Sequence, residues 1–291
     1  MELNGAAVIV ALLTPFDEEG RLDERALGAH VHELVEAGVD ALMPCGTTGE
    51  AALLSDEELA AVVRATCAAA GGRIPVLAHV GRPGTGPTLE LARRAVADGA
   101  AAVSAVVPYY YPAGPDEIRA HYAALAEGLE GTPVYGYTIP ERTHNELEPG
   151  LLGGLIEDGL AGLKDSTKSI DRHREYAAAA RATGEPFGLF VGTASLMLEA
   201  LREGSAGAVV AVANVGPELC VGLARAWRES RADDAERLQA EVAALEHEIH
   251  RDGTIPSLKR RVGERLAERG AAYGKALRAP LGAAGRVAAR R

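Results

Sequence analysis

Cysteine is one of the residues that this chain has little of. Its three cysteines, Cys45, Cys67 and Cys220, have neither paired spacing nor a metal-ligand pattern. We expect each to be a small buried hydrophobe in a reducing compartment. The N-terminal apolar run, residues 6–13, is also short: it stops at Thr14-Pro15, and no basic region precedes it. Such a run neither spans a bilayer nor resembles a signal peptide, so we expect a cytoplasmic protein with no membrane partner.

The chain has fewer positively charged residues than negatively charged ones. The chain has 30 Lys and Arg against 41 Asp and Glu, for a formal net charge of −11. Because phosphate binding needs clustered Lys and Arg, this balance argues against nucleic acid as the main partner, and the basic tail 286–291 is too short to change that. Aromatic residues are only 4% of the chain, so the consecutive tyrosines Tyr109, Tyr110 and Tyr111 stand out.

Short apolar runs recur along the chain and predict its fold. The runs are continuous, not alternating, which is typical of parallel strands that are covered on both faces. Eight such runs lie at residues 8–13, 40–43, 75–80, 102–107, 133–139, 160–164, 188–191 and 208–213. Helical patterns follow them at 22–37, after the capping box 55–58, and at 89–97, 116–129, 149–156, 170–182, 195–202 and 217–227.

Eight strand–helix units in about 230 residues predict an α/β fold, a closed (β/α)8 TIM barrel. The alternative is an open doubly wound sheet, which usually has a Gly-x-Gly-x-x-Gly turn after its first strand; Thr14-Pro15-Phe16-Asp17 is unlike that turn. Charged helical segments follow at 232–250 and 259–269. We therefore assign residues 1–230 to the barrel and 231–291 to a C-terminal helical extension of the same domain.

The strand 160–164 ends in Lys164, although sealing an ammonium group away from water is costly. Desolvation favours the neutral amine, which can attack a carbonyl to form a Schiff base. The alternative is that Lys164 is solvated at an exposed strand end. Residues at the other strand ends bear on this choice, because the active site of a barrel lies where its strands end.

Polar residues follow three further strands. The segment Gly46-Thr47-Thr48-Gly49-Glu50 has glycines that allow tight turns, and hydroxyls and amides that can hold a carboxylate. It lacks the Gly-Lys-Ser/Thr sequence of a Walker-type nucleotide-binding loop. Residues 108–112 contain the three tyrosines, and residues 137–143 contain a further tyrosine and Arg142. A tyrosine near the lysine can relay protons, and an arginine fork can hold a carboxylate. Together these strand ends favour a catalytic site.

These strand ends resemble a known family. Four motifs are similar in order and spacing to those of the dihydrodipicolinate synthase/N-acetylneuraminate lyase family. They are Gly46-Thr47-Thr48-Gly49-Glu50, Pro108-Tyr109-Tyr110, Tyr137-x-x-Pro140 and Gly162-x-Lys164. The similarity covers nearly the whole chain and continues through Gly192, Gly207, Ala213-Asn214, Ile255-Pro256 and Arg278-Ala279-Pro280. Members are pyruvate-dependent class I aldolases and related dehydratases, so the resemblance implies a lyase that acts on a small-molecule substrate.

The resemblance also implies the catalytic residues. Lys164 would form a Schiff base with pyruvate or another 2-oxo acid, and this covalent imine would serve without a metal or other cofactor. Tyr137 would move the proton. Thr47 would link Tyr137 to Tyr110, which in this family reaches into the partner subunit's site. The family's habit further implies a homotetramer made of two tight dimers.

Five more residues would bind substrate if the resemblance holds. The Thr48 amide would bind the pyruvate carboxylate, the Val209 carbonyl would line the pocket, and Gly46 and Gly192 would also border it. Arg142 matches the arginine by which synthase members hold the carboxylate of aspartate semialdehyde. Lyases that act on neutral-tailed sugar acids generally lack this arginine.

The leading function that the resemblance implies is therefore 4-hydroxy-tetrahydrodipicolinate synthase-like condensation of pyruvate with aspartate semialdehyde. The alternative is an aldolase or dehydratase that acts on another 2-oxo acid: a deoxy sugar acid, a sialic acid-like compound or a specialised metabolite. Thr138, His144 and Tyr111 stand where many relatives have other residues, and they leave the second substrate open.

Two other classes of protein, a metal enzyme and a non-catalytic barrel, compete with this interpretation. His30 and His32 form a His-x-His pair, but positions i and i+2 of a helix point to different sides and the first strand has no histidine, so we expect no metal site. His79 and His144 could lie at the barrel mouth, where we favour substrate contact over metal binding. A non-catalytic barrel is the last alternative, and the lysine–tyrosine–threonine set argues against it.

Overall fold

Eight parallel strands form a barrel in the computed structural model, which describes residues 5–129, 131–274 and 276–278. The strands are β1 (Ala7–Ala11), β2 (Ala41–Met43), β3 (Leu77–His79), β4 (Ala102–Val106), β5 (Val134–Thr138), β6 (Leu160–Asp165), β7 (Gly188–Val191) and β8 (Gly207–Val210). They pair in the order β2-β1-β8-β7-β6-β5-β4-β3, and a bridge between Leu42 and Val76 joins the two ends. The predicted (β/α)8 barrel is confirmed.

Helices follow the strands and cover the barrel. They are α1 (Glu24–Glu36), α2 (Asp56–Ala70), α3 (Thr85–Ala97), α4 (Pro115–Gly128), α5 (Pro140–Thr143), α6 (Leu152–Glu157), α7 (Ile170–Thr183), α8 (Met197–Arg202), α9 (Pro217–Arg228), α10 (Ala232–Arg251) and α11 (Thr254–Glu268). Side-chain caps set where several of them begin. Ser55 and Glu58 form the predicted capping box on α2. The Asp23 side chain accepts a hydrogen bond from the Ala26 N–H at 2.9 Å, so α1 begins at Glu24, two residues later than predicted.

The chain after β8 differs from the prediction. The apolar pattern predicted a strand over 208–213, but β8 ends at Val210 and a 3-10 turn covers Val212–Asn214. The buried Asn214 amide donates to the Ala11 carbonyl at 2.8 Å and so ties the turn to the end of β1. A single polar side chain therefore ends a strand that hydrophobicity alone would continue.

The helices α10 and α11 form the predicted C-terminal extension. Buried residues seven positions apart on α10, Ala235, Val242 and Ile249, form its packed face, and α10 contacts α9. The helix α11 begins at Thr254, earlier than the predicted start at 259. The domain boundary at residue 230 stays a prediction, and Ala279-Pro280 and the basic tail lie outside the described residues. Within the residues described, no helix has the length and apolar character needed to cross a membrane.

Candidate active site

Lys164 lies near the C-terminal end of β6 and faces the barrel interior. Successive side chains on a strand alternate between its two faces. The next residue, Asp165, faces outward, because a carboxylate oxygen of Asp165 lies 2.9 Å from Nδ1 of His173 on α7. Only 7% of Lys164 is exposed, so the interpretation as a solvated lysine is wrong. Its Nζ lies 4.2 Å from the ring centroid of Tyr137, its register partner on β5.

Tyr137 is held on several sides. Its hydroxyl lies 3.3 Å from Oγ1 of Thr47. Its backbone N–H donates to the Tyr122 hydroxyl at 3.4 Å, and its ring meets the His79 ring edge to face with centroids 5.8 Å apart. A phenol whose ring lies against an amine and whose hydroxyl lies beside a threonine hydroxyl can take part in proton transfer at this site.

His79 packs against Tyr137 instead of lying at the barrel mouth. Its Nε2 accepts a hydrogen bond from the Val106 N–H at 3.3 Å. Burial, reinforced by the nearby Lys164 ammonium, lowers the pKa of His79 to about 3, so the imidazole is neutral near pH 7. His144 is exposed on the turn after α5. Neither histidine lines the cavity described below, so the geometry gives no support to the expected substrate contact, which stays a prediction.

Residues 46–50, called the Thr47-Thr48 loop below, follow β2 as a tight turn. The Gly46 carbonyl accepts the Gly49 N–H at 3.0 Å. A Cβ at Gly49 would lie 3.0 Å from the Leu12 carbonyl oxygen, a tight contact, so this position favours glycine. Thr47 and Thr48 line the cavity, whereas Gly46 does not. Gly46 therefore shapes the loop, and its assignment to substrate binding finds no support in the geometry.

One cavity of about 890 Å³ opens at the C-terminal end of the barrel. Seven of the nine predicted site residues line it, namely Thr47, Thr48, Tyr137, Arg142, Lys164, Gly192 and Val209. Gly192 follows β7, and a Cβ there would lie 2.0 Å from Oγ of Ser166. Glycine at position 192 therefore makes room for the Ser166 hydroxyl at the cavity wall.

The mouth of the cavity carries charged side chains of both signs. Arg142 lies on the one-turn helix α5 and is exposed. The neighbouring Lys168 forms an ion pair with Glu141, and the Lys168 ammonium holds the pKa of the Glu141 carboxyl below its usual range. Arg142 has no ion-pair partner among the residues that the structure describes, so its guanidinium is available to an anionic group of a ligand.

Tyr110 lies away from the cavity of its own chain. It is 81% exposed, and its φ of 79° is rare for a bulky residue. Its ring contacts Tyr111, which is 72% exposed, with centroids 4.9 Å apart. The Thr47–Tyr137 half of the predicted relay is therefore present within one chain, and the Tyr110 half is not.

The structure adds cavity residues that sequence reasoning missed. Ser166 lines the wall and is only 9% exposed. Strand alternation could have found it, because it lies two positions after Lys164 and so on the same face. Lys168, His250 and Thr254 also line the cavity. The last two come from the C-terminal extension, and no local pattern places them there.

The histidine pair predicted not to bind metal is separated in the structure. His30 is buried with its Nε2 3.1 Å from the Asn214 side-chain oxygen, whereas His32 is exposed and lies 2.9 Å from Glu36. Over the described part of the chain, no group of three or more His, Cys, Asp or Glu side chains is arranged to hold a metal ion.

Known proteins are similar to this chain in sequence and in fold. The model of the dihydrodipicolinate synthetase family matches residues 4–288. An uncharacterized DapA-like lyase of Halobacterium salinarum is 36% identical over 282 residues, which cover 94% of this chain and 87% of that protein. The 4-hydroxy-tetrahydrodipicolinate synthase of Methylococcus capsulatus is 36% identical over 242 residues, or 83% of this chain and 82% of that one.

Solved structures of the same family have a similar fold. YagE from E. coli K12, a prophage protein of the dihydrodipicolinic acid synthase family in complex with pyruvate, superposes with a TM-score of 0.89 at 25% identity, covering 94% of this chain and 92% of that one. Dihydrodipicolinate synthase from Aquifex aeolicus superposes with a TM-score of 0.86 at 30% identity, covering 96% of this chain and 92% of that one.

A barrel of this kind, with a lysine buried at the end of its sixth strand, is that of a lyase of the class I aldolase type. The chain belongs to the dihydrodipicolinate synthetase family.

Proposed function

We propose that Lys164 forms an imine with pyruvate or a related 2-oxo acid. The amine nitrogen attacks the carbonyl carbon, the carbonyl oxygen leaves as water, and the protonated imine then draws electrons from the adjacent C–H bond. Loss of that proton gives an enamine, whose carbon attacks the carbon of an aldehyde. Hydrolysis of the imine releases the product and restores the amine. The observation that carries the proposal is the buried Lys164 amine, 4.2 Å from the centroid of the Tyr137 ring, in a cavity open at the barrel mouth.

Tyr137 and Thr47 move the protons in this scheme. The Tyr137 hydroxyl protonates the departing oxygen when the imine forms, and later the alkoxide made by carbon–carbon bond formation. Thr47, whose Oγ1 is 3.3 Å away, receives and returns the proton. Thr48 is next along the loop, and its N–H holds the pyruvate carboxylate. The iminium group is the electron sink, so the scheme includes neither a metal nor an organic cofactor.

Tyr110 completes the relay from a neighbouring subunit in the proposed enzyme. Its positive φ and its exposure support this role, because backbone strain of this kind clusters at functional sites and the side chain lies outside the cavity of its own chain. The assembly is a homotetramer of two dimers, and the dimer is the unit that completes the site.

The second substrate is an aldehyde that carries a carboxylate, and aspartate semialdehyde is the leading candidate. The exposed Arg142 guanidinium at the mouth supports it, since a guanidinium fork can bind a carboxylate through two parallel hydrogen bonds. A second candidate is a hydroxylated 2-oxo acid, formed, cleaved or dehydrated at the same lysine. The Ser166 hydroxyl favours that candidate, because it lies at the cavity wall and makes no hydrogen bond with any described residue.

Borohydride trapping tests the imine. Wild-type protein incubated with pyruvate and borohydride should gain one reduced pyruvyl group in its intact mass, and Lys164→Ala should gain none. Lys168→Ala is the matched control, because Lys168 is a lysine of the same cavity that is already paired with Glu141; this variant should still be labelled. Absence of labelling in the wild type would contradict the proposal.

Acceptor profiling separates the two candidate substrates. With pyruvate in excess, turnover of aspartate semialdehyde in preference to uncharged sugar aldehydes supports the synthase assignment. Preference for an uncharged hydroxyaldehyde would overturn that assignment while leaving the imine chemistry intact.

A further inference from the structure

A buried ion pair links the C-terminal extension to the Thr47-Thr48 loop. Nζ of Lys259, on α11, lies 2.5 Å from Oε1 of Glu50, and both side chains are fully buried. The same ammonium donates to the Ala276 carbonyl at 2.7 Å and lies 4.3 Å from the Phe16 ring centroid. Because burying two charges is costly, such a pair persists only where each partner is well satisfied.

Glu50 is held on both of its carboxylate oxygens. The second oxygen, Oε2, accepts a hydrogen bond from the Arg278 N–H at 2.9 Å. The backbone of Glu50 has a φ of 59°, a left-handed conformation that is strained for a residue with a side chain. Its own N–H donates to the Thr47 carbonyl at 3.2 Å. The anchored Glu50 side chain therefore acts on the backbone of a residue that lines the cavity.

The helix α11 has two roles at the site. The residues of its first turn, Thr254, Ile255 and Pro256, line the cavity, and Lys259 follows about one turn later. One helix thus forms part of the cavity wall and anchors the loop on another part of that wall.

We infer that Glu50 and Lys259 are positioning residues, and that their ion pair holds Thr47 and Thr48 in the geometry that binds the 2-oxo acid. Neither side chain lines the cavity, so both act through the loop. The inference rests on the proposed function for the role of the two threonines.

A matched ion pair on the same helix serves as the control. Nε of Arg265, on α11, lies 2.7 Å from Oε1 of Glu33 on α1, and Glu33 is 3% exposed. Arg265 also donates to the Val215 carbonyl at 2.9 Å. Neither Arg265 nor Glu33 lines the cavity or contacts the Thr47-Thr48 loop, so loss of this pair should affect stability alone.

The test compares Lys259→Met, the double variant Glu50→Gln/Lys259→Met, and Arg265→Met with the wild type. The double variant leaves no unpaired buried charge, so it should fold even if the single variant does not. The pyruvate concentration that half-saturates borohydride trapping should rise about tenfold or more in both Lys259 variants, since loss of one hydrogen bond to a carboxylate weakens binding by roughly tenfold or more. In Arg265→Met it should stay within about twofold of wild type, whatever the change in Tm.

Hydrogen–deuterium exchange supplies a readout that needs no ligand. Amides of residues 46–54 should exchange faster in the double variant, with the β-strands still protected, and should be unchanged in Arg265→Met. A double variant that folds with wild-type half-saturation and wild-type exchange over 46–54 would overturn the inference. If the wild type forms no pyruvate imine, the proposed function fails, and the exchange result alone then decides whether the ion pair positions the loop.

Discussion

Replacement of Arg142 by alanine should weaken the use of an acidic aldehyde without affecting imine formation. A charge-assisted hydrogen bond contributes about 1.5–3 kcal/mol, which corresponds to roughly 10- to 150-fold in kcat/KM. Arg142 is exposed on α5, so water and salt screen its interaction with a carboxylate. We therefore expect the lower end, a loss of about tenfold in kcat/KM for aspartate semialdehyde at saturating pyruvate.

Two control variants separate charge from geometry in that experiment. Arg142→Lys keeps the positive charge but lacks the planar fork, so it should recover only part of the loss. Lys168→Ala removes a cation at the same mouth that Glu141 already neutralises, so its effect should be smaller than that of Arg142→Ala. Equal losses toward acidic and uncharged aldehydes in Arg142→Ala would refute the reasoning, because they would indicate a change in pocket shape instead of a lost carboxylate contact.

Three further predictions follow from the site. Tyr137→Phe should slow condensation by about 10²- to 10⁴-fold, the usual contribution of a general acid–base group, and rapid-quench measurement of product formation checks this. Gly192→Ala should lower kcat/KM because its Cβ would lie 2.0 Å from the Ser166 hydroxyl, and the added change Ser166→Ala should restore part of the activity. The pKa of His79 is lowered to about 3, so the unfolded state binds a proton first and stability falls as the pH drops from about 6.5 toward 3. Between pH 7 and 4.5, urea unfolding should therefore show that His79→Gln loses about 2–3 kcal/mol less stability than the wild type. Unchanged product formation in Tyr137→Phe, wild-type kcat/KM in Gly192→Ala, or equal acid sensitivity in His79→Gln would each count against the geometry described.

Local patterns were sufficient to predict the barrel and the centre of its site. Continuous apolar runs mark strands that are covered on both faces, and their number and spacing leave little room for another architecture. Since barrel strands end at a common face, the strand ends bring Lys164, the tyrosines and the two threonines to one site, and the family resemblance selects Tyr137 and Thr47 among them. Their positions along the chain carry that information without any knowledge of packing.

What sequence reasoning missed depends on contacts between distant elements. His79 stands at the end of β3, but its Nε2 pairs with the backbone of β4 and its ring meets Tyr137, so it turns away from the mouth. The strand β8 ends early because the Asn214 side chain bonds to β1. In the sequence, nothing distinguishes Lys259 from other lysines on charged helices. Only the packing of α11 against the barrel reveals its buried partner, Glu50.

The central claim is that Lys164 carries the chemistry, and the most direct measurement of it is peptide mapping of the borohydride-reduced protein. After incubation with pyruvate and reduction, proteolysis and tandem mass spectrometry should locate the pyruvyl group on Lys164 and on no other lysine. A modification at Lys168 or elsewhere, or no modification in folded wild-type protein, would contradict the account.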